Sequence, residues 1–357
     1  MATQIDYTRL LDLWRAIEQA GGTDKYVQQQ LQERGYLVER KATDDMSKAD
    51  LERYKKALKA EAAERRKIKK DAWLAYRASH IVHLGEGVFW NDDLDFDRWD
   101  LRNPEERANE NELPALDNPK QLAEALGASI AELRWLAFHR DDATFVHYHA
   151  FTIPKRDGSM RQIWAPNRKL KAAQRWINRE IVERLPVHGA SHGFLAGRSI
   201  KSNAAAHTGA EIVVKIDLKD FFPTVTMPRV KGIFRKAGYR EQVATLLALL
   251  CTEAPRHVVD IKGKVHYLAL GPRCLPQGAP TSPGLTNTLC LRLDRRLAGL
   301  AAKLGWRYTR YADDLTFSRK KGASSAEVGE MIRKAVDIVG HEGFTVHPDK
   351  TRVMRRG

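Results

Sequence analysis

Apolar positions change period along this chain. In residues 7–19, Leu10, Leu11, Trp14 and Ile17 recur at helical spacing, and Gly21-Gly22 ends the run. Thr23 is placed to cap a second helix carrying Tyr26, Val27 and Leu31. Residues 50–78 read as one long helix, and 80–100 turn acidic and aromatic. The polar, acidic stretch 103–111 reads as a linker. Two short helices follow within 113–140, the first opened by Asp117 or Asn118 with Pro119 at its first position, the second by Ser129. Period two then takes over. Phe145, Tyr148, Phe151 and Ile153, a turn at 155–158, and Arg161, Ile163 and Trp164 predict a hairpin over 144–165.

Helical spacing returns at 168–185, with Leu170, Ala173, Trp176, Ile177 and Ile181 inward. The run Ile212, Val213, Val214, Ile216 predicts a buried strand that ends at Asp217, with Asp220 three residues on and Pro223 stopping the element. Helices over 227–237 and 241–252 and a small hairpin over 258–270, turning at Gly263, come next. Glycines and prolines in 276–284 force an irregular loop, and a helix then starts near Thr281 or Ser282 and runs over 284–304. A third hairpin, 308–318, turns at Ala312-Asp313-Asp314. A helix over 326–340 and strands over 344–346 and 351–354 complete the pattern, whose fold class is α+β.

At 357 residues with 43% hydrophobic content, the chain has the length for two or three domains and the composition of a soluble globular protein. No apolar run approaches the ~20 residues of a membrane span, and the first residues lack signal-peptide form. Cys251, Cys274 and Cys290 have no metal-type spacing and read as reduced thiols of a cytoplasmic protein. His147 and His149, two apart without a third ligand nearby, read as structural.

Charge is uneven. Residues 1–150 hold 23 Lys+Arg against 28 Asp+Glu (−5), and residues 151–357 hold 37 against 17 (+20). The second half therefore carries the charge that a phosphate backbone attracts. Within the first half, Lys55, Lys56, Lys59, Arg65, Arg66, Lys67, Lys69 and Lys70 lie along the long helix, either as a solvated face or as a stripe that tracks an RNA backbone.

The sharpest chemical signal is the pair Asp313-Asp314. Adjacent carboxylates at a hairpin tip repel, and a plain turn is served as well by Asn-Gly. A bare pair would read as a solvated acidic turn, but the strand ending at Asp217 supplies a third carboxylate. Hard cations such as Mg²⁺ take oxygen ligands of this kind together with substrate phosphates. Two metals so held activate a 3′-hydroxyl and steady a leaving pyrophosphate.

The Tyr311-Ala312-Asp313-Asp314 hairpin, the Asp217 strand and the run LPQGAPTSPGLTN at 275–287 stand in the order of a reverse transcriptase palm. With the stretch Gly197-Arg198-Ser199 and Asn203-Ala204-Ala205-Ala206-His207, the chain resembles the bacterial retron reverse transcriptases, with group II intron enzymes further off. The LGxGV-W stretch within 80–100 resembles N-terminal extensions of myxobacterial-type retron enzymes. The resemblance implies a right-hand polymerase, its palm an antiparallel sheet backed by helices. Its expected parts are a helical N-terminal extension (1–110), fingers and an RNA-contacting region (111–210), and the palm (211–357), without a thumb. It implies RNA-directed DNA synthesis with Asp217, Asp313 and Asp314 as catalytic metal ligands. The cofactor is Mg²⁺, two ions, with Mn²⁺ as a substitute. Asp313 is expected to be the stricter ligand and Asp314 the more tolerant.

By the same resemblance, Lys155 and Arg161 hold the nucleotide triphosphate and Phe221 and Phe222 stand over its sugar, Phe222 as the steric gate against a 2′-hydroxyl. Gln277 and Gly278 border the nascent pair, and Lys350 matches the family's next motif. Arg198, Ser199, Asn203, Arg168 and Arg175 are the expected RNA contacts, while core packing suits His207 at least as well. Implied partners are a structured non-coding RNA, its RNA-linked DNA product and dNTPs; the resemblance admits an effector (toxin) protein and a role in antiviral defence. An intron-type enzyme with a different RNA, or a thumbless RNA-holding scaffold without turnover, are the alternatives.

Overall fold

A computed structural model of the chain describes residues 7–44, 46–88, 104–154, 158 and 160–356. They fall into two compact units, one of residues up to Leu84 with Ala123–Trp135, the other of Gly85–Leu122 with Leu136–Gly357.

In the first unit the helix Tyr7–Gln19 has the expected bounds. The next, Thr23–Glu33, is capped by Gly22 at φ +109, so Thr23 lies inside the helix and does not cap it. Both pack on the long helix Lys48–Ser79, whose start is capped by Ser47 Oγ accepting from the Asp50 N–H (3.2 Å). Ile17 meets Ala72 and Ala75, with Leu10, Leu13, Trp14 and Tyr26 around them, and Val27 and Leu31 meet Ile68. Small alanines on the long helix let the shorter one approach closely. Glu61 is buried on this helix, and its carboxyl is held down to about 2 by Arg40, then Arg65. Arg40 donates to both its oxygens (2.8 and 3.0 Å).

Among the described residues, the second unit is built on three antiparallel sheets. Strands β1 (Asp142–Ala143), β5 (Arg256–Ile261) and β6 (Lys264–Ala269) form one, in the order β1-β6-β5. Lys262 and Gly263 turn the β5–β6 hairpin, both at positive φ, as a two-residue loop of this twist requires. Strands β2 (Tyr148–Pro154) and β3 (Met160–Pro166) pair as the expected hairpin. The main sheet runs β10-β4-β8-β7, from β4 (Ile212–Lys219), β7 (Arg307–Tyr311), β8 (Asp314–Arg319) and β10 (Arg352–Arg355), and β9 (Thr345–Val346) also pairs with β4.

Period-two alternation orients β4: Ile212, Val214, Ile216 and Leu218 are buried on one face, which leaves Lys215 and Asp217 on the other. The helix Leu291–Lys303 lies on β7 and against the helix Ser325–His341. The helix Glu241–Cys251 is buried from Gln242 to its end, which explains its nearly all-round apolar sequence.

The local structure between these elements differs in places from the pattern expected. The stretch expected as a linker holds the helix Pro104–Glu110, with proline at its first position. The helix expected over 168–185 ends at Glu180, where Ile181 leaves helical geometry and the chain tightens into a 3₁₀ turn, Val182–Arg184. The helix expected over 284–304 is two, Ser282–Leu289 and Leu291–Lys303, separated at Cys290. The LGxGV-W stretch lies partly outside the described residues.

Candidate active site

The sheet register assembles the acidic site. Asp217, near the end of β4, stands directly opposite Asp314, the first residue of β8. Opposed residues of an antiparallel pair share a face, so both carboxylates rise on the face that Lys215 also occupies. Asp313 sits in the turn between β7 and β8, and its carbonyl accepts from the Leu218 N–H (3.0 Å), which pins the tip to β4. Ala312 makes the bend at φ +53, a strained conformation for a residue with a Cβ. Burial pushes the Asp313 carboxyl above its ordinary range, and the neighbouring Asp217 and Asp314 charges push the same way, while Arg161 opposes them.

Two lysines answer this negative charge. Lys350 Nζ is 3.4 Å from Asp217 Oδ1, and Lys215 Nζ is 3.4 Å from Asp314 Oδ1. Among the described residues no three His, Cys, Asp or Glu side chains already form a ligand cluster. The donors nevertheless suit a hard divalent cation: they are all carboxylate oxygens, and their mutual repulsion is what such an ion relieves. One or two carboxylates completed by phosphate oxygens is the set Mg²⁺ commonly takes.

The hairpin is anchored from below by groups the sequence reading did not single out. Arg310 and Asp294 are both 0% exposed. Arg310 donates Nε and Nη2 to the two Asp294 oxygens (2.8 Å each), and Nη1 to Asn287 Oδ1 and to the Ala312 carbonyl (3.1 Å each). The Tyr308 hydroxyl donates to Asp294 (2.8 Å). Asp294 stands on the apolar side of its helix with Leu293, Leu297 and Ala301; a charge in that stripe was the available signal. His207 ties the hairpin laterally, its ring nitrogens 2.6 Å from Ser318 Oγ and 2.6 Å from Thr309 Oγ1. Burial first, then the Arg307 charge, lowers its pKa to about 4, so the ring is neutral at pH 7.

The stretch 190–194 runs beside β7. The His192 N–H donates to the Arg310 carbonyl (2.7 Å), and Asn287 Nδ2 donates to the Gly193 carbonyl (2.8 Å). A Cβ on Gly193 would lie 2.6 Å from the Ala312 nitrogen, so only glycine allows this approach. The next residue, Phe194, is held at φ +60 with its ring 52% exposed and 6.4 Å from both Phe222 and Tyr311. The sequence reading missed Phe194. Phe222 is half-buried in this aromatic wall, whereas Phe221 is buried and packs on Phe344 (5.6 Å), so of the two residues expected over the sugar, Phe222, the expected gate, is the accessible one.

The loop after β6 closes another side. The Trp164 N–H of β3 donates to the Gln277 carbonyl (2.7 Å). Gly278, at φ +119, leaves no room for a Cβ, which would meet Ile163 Cγ2 and the Trp164 carbonyl at 2.8 Å. Gln277, Gly278 and Arg161 are thus gathered on β3 and its neighbour, and Arg161 acts on the Asp313 carboxyl. Lys155 lies outside the described residues.

The expected RNA contacts are placed differently. Arg198 is exposed, but its Nη1 donates to the Gly189 carbonyl (2.6 Å) and the Ser191 carbonyl, so it braces its own loop. Ser199 caps the helix Ile200–Ala205, its hydroxyl accepting from the Ser202 N–H (3.3 Å). Asn203 Oδ1 is buried without a hydrogen-bond partner. Arg168 and Arg175 are exposed on the helix Arg168–Glu180, and no contact among the described residues ties them to the aspartates.

The chain is similar to known proteins. A family model described as reverse transcriptase (RNA-dependent DNA polymerase) matches residues 153–356. The chain is 53% identical to the retron Mx162 reverse transcriptase of Myxococcus xanthus, over 100% of this chain and 75% of that protein. It is 48% identical to the retron Mx65 reverse transcriptase of the same organism, over 69% of this chain and 57% of the relative. Identity to the retron Ec86 reverse transcriptase of Escherichia coli is 35%, over 67% and 68%. Three aspartates at one strand register and its turn, all within the matched stretch, accompany 53% identity over the whole chain: it belongs to the reverse transcriptase family, as a retron enzyme of the myxobacterial type.

Proposed function

We propose that the chain copies a structured non-coding RNA into RNA-linked single-stranded DNA, using Asp217 and Asp313 as metal ligands and Asp314 as their more tolerant partner. The observation that carries this reading is the register that sets Asp217 opposite Asp314 with Asp313 on the same tip. Bound Mg²⁺ supplies Lewis-acid activation of the 3′-hydroxyl and charge neutralisation on the phosphates. Phosphoryl transfer asks mainly for positioning and electrostatics. The main sheet is the palm in this reading, and the β2–β3 hairpin belongs to the fingers. Arg161, with Lys155, meets the triphosphate, and Phe222 excludes a ribose 2′-hydroxyl. Gly278 lets the backbone approach the nascent pair. With a cation held by the aspartates, Lys350 and Lys215 would be free to meet substrate phosphates. The relatives are named retron reverse transcriptases, which supports a retron's RNA as template; a place in antiviral defence belongs to the same proposal.

Primer extension by the full chain on an RNA template tests the mechanism. Asp313→Asn and Asp217→Asn should each lower incorporation by more than about 100-fold, beyond the loss expected for a mere outer-shell partner. Asp314→Asn should lower it less. Incorporation by Asp313→Asn equal to wild type would remove the mechanism.

A further inference from the structure

The helix Lys48–Ser79 holds 11 Lys+Arg against 5 Asp+Glu. Its buried side, with Ile68, Ala72 and Ala75, faces the two shorter helices. Arg66, Lys69, Lys70, Trp73 and Arg77 recur at three- and four-residue steps and are all exposed. Residues so spaced are neighbours on a helix surface. Lys69 lies 3.3 Å from Asp24 in an exposed pair, which solvent leaves weak. The others have no carboxylate partner among the described residues.

Trp73 does not serve the core. It is 53% exposed, and nothing in the packing of this unit asks for an indole there. Its ring is nevertheless fixed. Trp73 stacks on Tyr76 at 5.6 Å and 15°, and Tyr76 stacks on His80 at 4.1 Å and 12°. Trp14 braces the column edge-on, 5.1 Å from Tyr76 and 5.0 Å from His80. Three parallel rings thus climb one side of the helix, and the outermost is presented to solvent between cations one turn away on either side.

We propose that this column is a docking site for unpaired nucleotides of the enzyme's RNA, a base stacking on Trp73 while Lys69, Lys70 and Arg77 hold the flanking phosphates. Stacking on an aromatic ring tolerates any base, and lysines and arginines track the backbone. A duplex hides its base faces, so the column selects single-stranded segments. Pre-stacking on Tyr76 and His80 removes the ordering cost that a free indole would bear on binding. The positive stripe makes nucleic acid its fitting partner, and RNA is the choice because the proposal rests on the polymerase reading above. It adds a holding site in a unit separate from the one that carries the aspartates.

The test uses the full chain. A fluorescein-labelled, unpaired 12-mer RNA is titrated by anisotropy at fixed salt, beside the same sequence as DNA and a blunt RNA duplex. A 12-mer carrying 4-thiouridine is photocrosslinked and the adduct mapped by mass spectrometry. The expected result is a crosslink in the peptide that holds Trp73 and an affinity for the RNA 12-mer lowered about 5- to 100-fold by Trp73→Ala, the scale of one stacked base. Trp73→Phe should keep most of the affinity, and duplex binding should not depend on the indole. The proposal is overturned if Trp73→Ala binds the 12-mer as wild type does, or if the crosslink maps only elsewhere. It is overturned also if DNA binds as tightly with the same dependence on Trp73. Thermal unfolding of both Trp73 variants guards against a folding effect: a loss of binding that tracks a lowered melting temperature in both counts against stacking. Asp313→Asn separates the two readings. It should lose synthesis while keeping Trp73-dependent binding; retained synthesis sinks the polymerase mechanism, and absent Trp73 dependence sinks only this site.

Discussion

Replacing Asp294 by asparagine tests whether the ion pair beneath the hairpin sets the position of the catalytic tip. Asn has nearly the volume of Asp, so no cavity forms and the effect is electrostatic. The Arg310 guanidinium would keep its charge in a site with 0% exposure, and one of its two 2.8 Å carboxylate contacts would face an amide NH₂. Breaking a buried pair by removing one partner costs about 3–5 kcal/mol. The loss should appear as a lowered unfolding free energy in equilibrium urea titration at pH 7. A double variant, Asp294→Leu with Arg310→Met, removes both charges and should recover part of the loss, since apolar replacement of a whole pair is often tolerated. The recovery is limited by Asn287, Ser191 and the Ala312 carbonyl, each of which loses an arginine donor. Because Arg310 holds the carbonyl just before Asp313, primer extension by Asp294→Asn should fall as well. An Asp294→Asn protein within about 0.5 kcal/mol of wild type would refute the reasoning, since that is the range of an ordinary surface change.

Gly278→Ala should lower both melting temperature and incorporation, because φ +119 and two 2.8 Å approaches leave the methyl no place. His207 has a folded pKa of about 4, below the ordinary 6.5, so the unfolded chain takes up the proton first as pH falls. Its contribution is whole above about 6.5 and drains away toward 4; urea titrations at pH 7.5 and 5 should show a smaller difference for His207→Gln than for wild type. In EDTA, Asp313→Asn should melt above wild type, since it removes one of three crowded negative charges, and added Mg²⁺ should raise the melting temperature of wild type alone; scanning calorimetry decides. Phe222→Val should raise ribonucleotide incorporation relative to deoxynucleotide, read as a ratio of kcat/KM, while Phe221→Val should chiefly destabilise the fold.

Much of the architecture is legible as period. The helix Tyr7–Gln19, the hairpins β2–β3 and β7–β8, the Asp217 strand and the buried helix Glu241–Cys251 announce themselves because apolar residues recur at 3.6 or 2, or fill a segment. The aspartates were legible too, since two carboxylates at a turn and one at a strand end are costly unless a cation joins them. Elements fail to announce themselves where neighbours override local pattern. The helix expected over 168–185 stops at Glu180, and Cys290 divides the helix expected over 284–304, although the apolar spacing runs through both points.

The sequence alone therefore determined which segments could become strands and helices, and which carboxylates chemistry would want together. Only the tertiary structure decided that Asp217 stands opposite Asp314, that Arg310 spends its charge on Asp294, and that Arg198 braces its own loop. Each of those choices joins groups by register or by burial, across up to about a hundred residues of chain. Local periodicity records which face a side chain takes, and holds no information about the partner that will meet it there.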